Sequence, residues 1–434
     1  MPTLLWFRRD LRLSDLPALL DAAKDGQEVL ACYVLEPRLR ATSGPRRLQY
    51  LYDALRELRD GLGGRLLVTE GRAEERIPAL VNQIGATSVH VSGDYLTFGM
   101  RRDKAVRDAL ATVSGGVPLE ESGSPYLVSP GRVTKGDGTP YKVFTPFYAA
   151  WRQHGWRAPA KTGATSARWI DPADVGGTVD IPPGDAELEH PAGESAALAG
   201  WRTFVESSLA GYADERNRPD HDGTSRMSAH LKFGTIHPRT MAADLGSDKG
   251  GQAYLRELAF RDFYANAVYF WPDSTWWNWN KKFDRIEVDE DADAQKRFEA
   301  WKAGRTGFPI VDAGMRQLAE TGFMHNRVRM ITASFLVKDL HLPWQWGARW
   351  FLEQLTDGDM ASNQHGWQWA AGCGTDAAPY FRVFNPTTQG NKFDPDGAYV
   401  TRWLPESRGG DYPEPMVDHA AERTEALRRY EAVR

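Results

Sequence analysis

The chain has 434 residues, of which 41% are hydrophobic and 26% are charged, so it is a globular protein of two or three domains and neither disordered nor fibrous. Its net charge of −5 excludes an overall basic field, and any binding of nucleic acid must come from a local basic face. Two cysteines, Cys32 and Cys373, exclude a disulfide framework and a four-ligand zinc site and fit a reducing cytoplasm.

Short apolar runs alternate with amphipathic runs in the first third of the chain. The apolar runs are typical of buried strands and read TLLWF, VLACYVL, RLLVTEG and SVHVSG. The amphipathic runs have helical spacing and include LPALLDAAKDG, RRLQYLYDALRELRDGLG, ERIPALVNQIG and GMRRDKAVRDALATV. This alternation predicts a doubly wound parallel sheet, a Rossmann-like α/β domain. No G-x-G-x-x-G motif follows the first strand, so any ligand here is held without that fingerprint.

The N-terminal segment MPTLLWFRRDLRLSD has only a few apolar residues before its charges, unlike the apolar core of a signal peptide. No stretch approaches the roughly 20 apolar residues of a membrane span. We therefore expect a cytoplasmic protein that does not associate with membranes.

The composition changes between about Gly155 and Gly200, where Gly, Pro, Ala and Ser dominate as in a long interdomain connection. Beyond it the strand patterns fade and aromatic residues recur at three- and four-residue spacing. The helical segments are WRTFVESSLAGYADERN, AYLRELAFRDFYANAVYF, GMRQLAETGFMHNRVRMITASFLVKDLHL and WQWGARWFLEQLTDG. We expect an α/β domain over residues 1–127, a connector over 128–199 and an all-helical domain over 200–434.

A cluster of hydroxyl side chains marks the predicted start of a helix in DGTSRMSAHLKFG. Thr224, Ser225 and Ser228 lie where free backbone N–H groups and the helix dipole favour a phosphate. Arg226 and Lys232 flank them. A plain helix cap is the commoner role for such residues, so both interpretations stay open.

Charged residues elsewhere in the helical part also have two interpretations. Arg329, on an aromatic-rich helix, needs a carboxylate if it is buried, and LTDGDMASN supplies Asp357 and Asp359. That acidic pair has no His or third carboxylate at ligand spacing, so no metal site is predicted. Pairing with Arg329, a hydrogen bond to a ribose or ribitol hydroxyl, and a solvated acidic turn all remain possible.

Glu257 lies on a helix whose other side is almost wholly aromatic, and it either faces solvent or points at the polar edge of a ligand. Arg216, Arg327 and Arg382 are typical surface residues taken singly. Together with Trp369, however, they could clamp phosphates around a stacking surface. Tryptophan itself is most often a packing residue.

Several long segments resemble signatures of the DNA photolyase/cryptochrome family, over essentially the whole chain. They are LLWFRRDLRLSD, GTSRMSAHLKFG, GFPIVDAGMRQLAETGFMHNRVRMITASFLVKDL and WQWAAGCGTDAAPYFRVFNPTTQGNKFDPDGAYV. The resemblance implies an α/β domain joined by a connector to a helical domain that holds a U-shaped FAD. It points to a class I cyclobutane pyrimidine dimer photolyase.

The resemblance also implies the residues that hold the flavin. They are Tyr212, Thr224, Ser225, Arg226, Met227, Ser228, Arg261, Asn326, Arg329, Asp357, Gly358, Asp359 and Asn363. Asn363 occupies the position that faces flavin N5, where photolyases have Asn, plant cryptochromes Asp and animal cryptochromes Cys. This favours an enzyme that uses reduced flavin, FADH⁻, over a light-sensing relative.

By the same resemblance the substrate is UV-damaged DNA, single- or double-stranded, from which the pyrimidine dimer is flipped out. The implied substrate residues are Arg216, Glu257, Phe260, Asn326, Arg327, Met330, Trp369 and Arg382. MHNR matches enzymes for cyclobutane dimers, whereas (6-4) photoproduct enzymes carry a His pair here and this chain has Asn326. Extrusion costs less for a dimer than for an intact base, because a dimer is already poorly stacked.

The implied reaction is photochemical. Excited FADH⁻ gives an electron to the dimer, the cyclobutane ring splits and the electron returns, so no general base or nucleophile is needed. The implied catalytic residues are Glu257, Asn326 and Asn363. Trp367 lies next to the flavin in an electron-transfer chain, and Trp344 is the second step.

The sequence departs from the family pattern at three places. Phe260 stands where a Trp is usual, which predicts weaker substrate binding with repair retained. No Trp precedes Trp301 in RIEVDEDADAQKRFEAW, so Trp346, Trp301 or the TWWNWN segment would have to end the electron-transfer chain. The C-terminal stretch LPESRGGDYPEPMVDHA is also shorter than usual.

The segment VSGDYLTFGMRRD resembles members that bind an 8-hydroxy-5-deazaflavin antenna more than folate-binding members. Asp94 and the LEPRLRATSG loop are the implied contacts, and an empty antenna site is the alternative. A cryptochrome-like photoreceptor that signals through flavin redox change, and a flavin-containing DNA-binding protein without repair activity, are the competing functions. We expect a monomer without an obligate protein partner, associated with the nucleoid in use.

Overall fold

The computed structural model describes residues 1–377, 379, 382–409 and 412–433. These residues form two compact units. The first contains Met1–Tyr141, Thr145–Ala210 and Ser225–Phe270, and the second contains Lys142–Phe144, Gly211–Thr224 and Trp271–Arg434. These two units do not follow the domain boundaries expected from sequence. The boundaries 1–127, 128–199 and 200–434 remain a prediction.

The first unit contains a parallel sheet, as the sequence predicts, and the sheet has six strands. Its strands are β1 (Thr3–Phe7), β2 (Glu28–Leu35), β3 (Leu66–Glu70), β4 (Val89–Val91), β5 (Leu119–Glu121) and β6 (Arg168–Trp169). The order is β3-β2-β1-β4-β5, with β6 on β2. Successive residues of β1 enter two different cores, because Leu5 and Phe7 face one side and Leu4 and Trp6 the other.

Helices connect the strands in alternation and continue beyond the sheet. In the first unit they are α1 (Pro17–Ala22), α2 (Pro37–Arg40), α3 (Pro45–Gly61), α4 (Ala73–Ile84), α5 (Thr97–Leu110), α7 (Pro172–Val175), α8 (Glu194–Ser207), α10 (Ser228–Phe233), α11 (Pro238–Ala243) and α12 (Lys249–Phe270); α6 (Phe144–His154) begins in the second unit. The chain leaves β1 for β2 and β3 and then returns to β4 on the other side. Residues after β1 and β4 therefore meet at the point where a doubly wound sheet binds ligands.

The second unit is helical. Its helices are α9 (Tyr212–Glu215), α13 (Ala292–Lys302), α14 (Pro309–Thr321), α15 (Asn326–Lys338), α16 (Trp344–Gln354), α17 (Met360–Ala371), α18 (Pro386–Phe393), α19 (Ala398–Trp403) and α20 (His419–Glu431). The continuous helical pattern from residue 314 to 342 is two helices, α14 and α15. Gly322 ends α14 in a left-handed conformation (φ 69°), and the His325 side chain caps α15.

The shortened C-terminal stretch is anchored to the turn before α14, although its Gly410 and Asp411 lie outside the described residues. The fully buried carboxylate of Asp312 accepts from both backbone N–H groups of Thr306 and Gly307 and from the hydroxyl of Tyr412, at 2.6–3.0 Å. The N–H of Met416 donates to the carbonyl of Thr306 at 2.9 Å. Donors from the turn before α14 and from the C-terminal stretch therefore meet at the carboxylate of Asp312. No helix in the described part of the chain is long and apolar enough to cross a membrane.

Candidate functional site

The predicted site residues are divided between the two units. Asp94, Ser225, Arg226, Met227, Ser228, Glu257, Phe260 and Arg261 lie in the first unit, and the other predicted site residues lie in the second.

α17 carries two tryptophans in different environments. Its N-cap is Asp359, whose carboxylate accepts from the N–H of Ser362 at 3.1 Å. Trp367 is 2% exposed, whereas Trp369 is half-buried, with its ring centroid 6.4 Å from that of Phe384. Residues two apart on a helix face different sides. Trp367 is therefore a core residue, and Trp369 lies on a more open face.

Trp367 packs against the backbone of α16. A Cβ at Gly347 would lie 2.1 Å from its indole, so only glycine allows this approach. The ring centroid of Trp367 is also 5.0 Å from that of Phe351 and 6.0 Å from that of Trp301. The indole is held on several sides.

Gly347→Ala should destabilise the second unit by about 1–3 kcal/mol, because the added methyl group must displace a ring that has no free space. Gly366→Ala on α17 is the matched control. A Cβ at Gly366 meets nothing within 4 Å, so alanine should stabilise the helix by about 0.5–1 kcal/mol. Urea unfolding followed by tryptophan fluorescence measures both changes. Equal effects of the two substitutions would rule out this account of the Gly347 contact.

Trp344 begins α16 and is buried, but its N–H leads towards the surface. Its Nε1 donates to Oδ1 of Asn278 at 2.9 Å. Nδ2 of Asn278 donates in turn to the exposed carboxylate of Asp284, also at 2.9 Å. These two hydrogen bonds therefore connect the indole to a carboxylate, which would stabilise a positive charge on the ring.

Trp301 is fully buried and its N–H donates to the carbonyl of Thr332 at 3.2 Å. Its ring stacks on Phe298, with centroids 5.8 Å apart, and Phe298 contacts the half-buried Trp346 at 5.3 Å. Together with the contact between Trp301 and Trp367, these rings form a continuous aromatic array. Trp346 is thus linked to Trp367 through two intervening rings.

Arg329 and Asp357 form an ion pair, which is one of the interpretations that the sequence left open. Nη2 of Arg329 donates to Oδ2 of Asp357 at 2.9 Å, and its Nε donates to the carbonyl of Met324 at 2.7 Å. Oδ1 of Asp357 is buried and has no hydrogen-bond partner among the described residues. Gly358, next in the chain, is also buried. A buried carboxylate oxygen without a partner is costly, so this oxygen is suited to a ligand N–H or O–H.

α15 presents two predicted substrate residues at its start. The ring of His325 accepts from the N–H of Arg327 at 3.1 Å and caps the helix. Asn326 is therefore the first helical residue, and it is exposed. Met330 lies four residues later and is half-buried. Residues four apart share a helix face, so Asn326 and Met330 are neighbours.

Two predicted phosphate-binding arginines lie close together. Arg327 donates to Oδ1 of Asn217 at 2.7 Å and lies 4.3 Å from the ring of Phe393. Burial and the neighbouring Arg216 lower the pKa of Arg327. Arg216 itself lies 5.8 Å from the ring of the predicted flavin residue Tyr212. Two neighbouring guanidinium groups favour an anion.

Arg382 is exposed, and its main chain accepts a hydrogen bond from the side chain of Lys338. The buried ammonium of Lys338 donates to the carbonyl of Arg382 at 2.8 Å. Burial lowers the pKa of Lys338 to about 8. The guanidinium of Arg382 is thus carried by an anchored main chain.

In the first unit, the predicted phosphate segment contains a strained residue and a helix start. Arg226 has a left-handed backbone (φ 56°), an uncommon conformation for a residue with a side chain. The Ser225 hydroxyl bonds the hydroxyl of Tyr254 at 2.7 Å. Met227 is buried, and α10 begins at Ser228, as the hydroxyl cluster predicts. Thr224 belongs to the second unit.

α12 carries Glu257, Phe260 and Arg261, all half-buried. The guanidinium of Arg261 donates to the carbonyls of Pro125 and Leu231, at 2.6 and 3.0 Å. These bonds show that Arg261 ties three segments of the first unit together.

Asp94 lies after β4, at the carboxyl end of the sheet. Nη2 of Arg102 donates to it at 3.3 Å, and Arg9 is 4.0 Å away. Burial alone would raise the pKa of Asp94, but Arg102, Arg9 and Arg8 hold it below its usual value. The ring of Trp6 lies 4.8 Å from the guanidinium of Arg8 and 5.0 Å from that of Arg102. This end of the sheet is polar and charged.

Sequence reasoning missed two polar residues on one face of α17. Gln364 donates to the carbonyl of Thr275 at 2.5 Å, and Gln368 donates to that of Ser274 at 2.6 Å. Both are fully buried. Their spacing of four residues places them on the same face, and this polar pair within an aromatic helix was the available signal.

Because His365 on α17 is buried, we expect the free energy of unfolding to decrease at acidic pH. Burial lowers its pKa to about 4, against about 6.5 in an unfolded chain. The unfolded state binds the proton more tightly, so stability is lost as pH falls from about 6.5 to 4, by roughly 3 kcal/mol from this group. His365→Gln should flatten the pH dependence of urea unfolding in that range. His154→Gln, at an exposed position, should leave it unchanged; the reverse pattern would contradict this role for burial.

Comparison with known proteins identifies the family. A protein-family model described as "DNA photolyase" matches residues 3–164. A second family model, described as "FAD binding domain of DNA photolyase", matches residues 254–409. A deoxyribodipyrimidine photo-lyase of Halobacterium salinarum is 37% identical, over 99% of this chain and 99% of that protein. The chain therefore belongs to the DNA photolyase family, and its helical part contains the FAD-binding domain.

Two solved structures show the same fold. A bacterial class III photolyase from Agrobacterium tumefaciens has a TM-score of 0.87 and 35% identity, covering 100% of this chain and 97% of that one. A cryptochrome from Synechocystis has a TM-score of 0.90 and 28% identity, covering 98% of each chain. The predicted combination of a parallel sheet and a helical FAD-binding part is confirmed.

Proposed function

We propose that this protein repairs cyclobutane pyrimidine dimers in DNA with light, as a class I photolyase that uses reduced flavin, FADH⁻. Its similarity to deoxyribodipyrimidine photo-lyases along almost the entire chain carries the proposal. The MHNR segment with Asn326 supports a cyclobutane dimer rather than a (6-4) photoproduct as the substrate. Class I is part of this proposal, and the similar Agrobacterium structure is of a class III photolyase. Asn363 favours repair over the cryptochrome-like alternative.

The second unit fits a flavin. The unpartnered Oδ1 of Asp357 is suited to an N–H of the ring, and Arg329 holds this carboxylate in place. Both N–H bonds of the Asn363 amide are used within the protein, which leaves its oxygen to accept a hydrogen bond. The family resemblance adds further proposed FAD residues, which are Tyr212, Thr224, Ser225, Arg226, Met227, Ser228, Arg261, Asn326, Gly358 and Asp359.

The dimer would be recognised by polar groups and flanked by apolar ones. In this proposal Glu257 and Asn326 hydrogen-bond the flipped bases, and Met330 and Trp369 line the pocket. Arg216, Arg327 and Arg382 bind phosphates, supported by the closeness of Arg216 to Arg327 and by the exposure of Arg382.

When bound, FADH⁻ supplies the photochemistry, an electron that splits the cyclobutane ring and then returns. The residues of this chain position the two partners and keep water out. Trp367 and Trp344 would carry electrons towards oxidised flavin, a step that repair by reduced flavin does not need.

Phe260→Trp should tighten binding of dimer-containing DNA by about 1 kcal/mol, or roughly fivefold, because the larger ring offers more stacking area. Repair per bound dimer should stay the same. Titration of a fluorescent dimer-containing oligonucleotide in the dark measures the affinity. If the variant binds no more tightly than the natural protein, Phe260 does not contact the dimer.

A competition experiment tests the substrate class. The protein, with its flavin, is bound in the dark to a labelled oligonucleotide with one thymine cyclobutane dimer, and unlabelled competitors are added. We expect competition by cyclobutane-dimer DNA at far lower concentration than by undamaged DNA or by (6-4) photoproduct DNA. Equal competition by all three would reject the proposed specificity.

We further propose an 8-hydroxy-5-deazaflavin antenna at the carboxyl end of the sheet, beside Asp94. The charged residues at this end of the sheet support a polar ligand there. The monomeric state and the lack of an obligate protein partner remain predictions.

A further inference from the structure

Gln364 links Asn363 to the segment before α13. Oε1 of Gln364 accepts from Nδ2 of Asn363 at 2.7 Å, and its Nε2 donates to the carbonyl of Thr275 at 2.5 Å. Nδ2 of Asn363 also donates to the carbonyl of Ala348 on α16, at 3.0 Å. Two side-chain amides are thus joined in series between two backbone carbonyls.

The two carbonyls fix the orientation of both amides. A carbonyl oxygen only accepts, so the atom of Asn363 facing Ala348 must be its nitrogen, and likewise for the atom of Gln364 facing Thr275. Gln364 must then turn its oxygen towards Asn363. Because each bond in the series determines the next, neither amide can flip alone without bringing like groups together.

Both hydrogens of the Asn363 nitrogen therefore have an acceptor within the protein. The remaining polar atom of the amide, Oδ1, can only accept a hydrogen bond. An asparagine without Gln364 would keep only the bond to Ala348 and could turn more freely.

We propose that Gln364 is a positioning residue that makes Asn363 present its oxygen to flavin N5 and so favours reduced over oxidised FAD. This rests on the proposed function, which places Asn363 opposite N5. In reduced flavin N5 carries a hydrogen and donates, whereas in oxidised flavin N5 has only a lone pair, which an amide oxygen repels. One fixed acceptor therefore stabilises the reduced form and destabilises the oxidised form.

The test is the ratio of reduced to oxidised FAD, read by absorbance in a redox buffer of fixed potential with the full-length, FAD-loaded protein. Gln364→Met should lower this ratio about threefold to tenfold, the value of one hydrogen bond. Gln368→Met is the matched control. It removes an equally buried amide from the same face of α17 and a bond to the neighbouring carbonyl of Ser274, but not a contact with Asn363, so the ratio should stay as in the natural protein.

An Asn363→Leu background separates this inference from the proposed function. Asn363→Leu should lower the ratio by itself, and Gln364→Met should then add nothing, since its effect passes through Asn363. A similar drop from Gln364→Met in both backgrounds, or from Gln368→Met, would overturn the positioning role. No change with Asn363→Leu would instead remove Asn363 from N5 and overturn that part of the proposed function. Gln364→Leu replaces Gln364→Met if the latter does not retain FAD.

Discussion

Asp357→Asn should weaken FAD binding by about tenfold to a hundredfold, since a hydrogen bond to a charged group contributes about 1.5–3 kcal/mol. The substitution keeps the shape of the side chain and leaves an oxygen for Arg329. It places an NH₂ group, however, where the carboxylate now offers the unpartnered Oδ1. A donor would then face the flavin N–H that this oxygen is proposed to bind.

The affinity can be measured by quenching of flavin fluorescence on titration of the apoprotein. Asp289→Asn is the control, because Asp289 is a partly buried carboxylate of the same unit that pairs with Arg297 and Arg429, at 2.8 and 2.7 Å. It tests the cost of weakening an ion pair outside the proposed site. FAD binding as tight for Asp357→Asn as for Asp289→Asn would show that Asp357 does not contact the flavin.

Trp367→Phe should abolish light-driven reduction of oxidised flavin and leave repair by the pre-reduced protein unchanged. A phenyl ring is much harder to oxidise than an indole, although it fills much of the same space. The smaller ring leaves a cavity beside Gly347 and Phe351, so some loss of stability is expected. Unfolding curves recorded on the same samples separate that loss from the photochemical effect.

Two further variants test which tryptophan is the second step of the proposed electron-transfer chain. Trp344→Phe should slow photoreduction, because the Trp344 N–H leads through Asn278 to the exposed Asp284, which stabilises a positive charge. Trp301→Phe should have little effect, because the Trp301 N–H faces a buried carbonyl. Should Trp301→Phe stop photoreduction while Trp344→Phe does not, electrons reach Trp367 through the ring array that ends at Trp346.

The first unit shows what apolar patterning can predict. The segment TLLWF coincides with β1 (Thr3–Phe7). It could be predicted because a strand that is buried on both faces is apolar along most of its length. The short strands β5 and β6 were not predicted. β5 reads LEE, with both glutamates exposed, so its sequence carries little of the signal that marks a buried strand.

Pairing between charged side chains was easier to predict from the sequence than contacts that depend only on packing. An arginine on an aromatic-rich helix needs a carboxylate where it is buried, and Asp357 pairs with the half-buried Arg329. The contact of Trp367 with Gly347 depends on how α16 crosses α17, which no local pattern contains. The same holds for the amide pair of Asn363 and Gln364, whose partners come from distant segments.

The packing partners of α12 could not be predicted from the sequence either. Its aromatic spacing predicts a helix, and α12 (Lys249–Phe270) is one. Nothing in that spacing indicates that it packs with the sheet-containing first unit rather than with the later helices. Amphipathic patterns specify that a face is buried but not which neighbour buries it.

The most direct test of the proposed function is repair of an oligonucleotide with one thymine dimer, under near-UV or blue light and in the dark. The flavin is chemically reduced beforehand, so that the electron-transfer chain to oxidised flavin plays no part. We predict that thymines are restored in the light and not in the dark. A reduced protein that binds the oligonucleotide but restores no thymine in the light would contradict repair and favour the photoreceptor alternative.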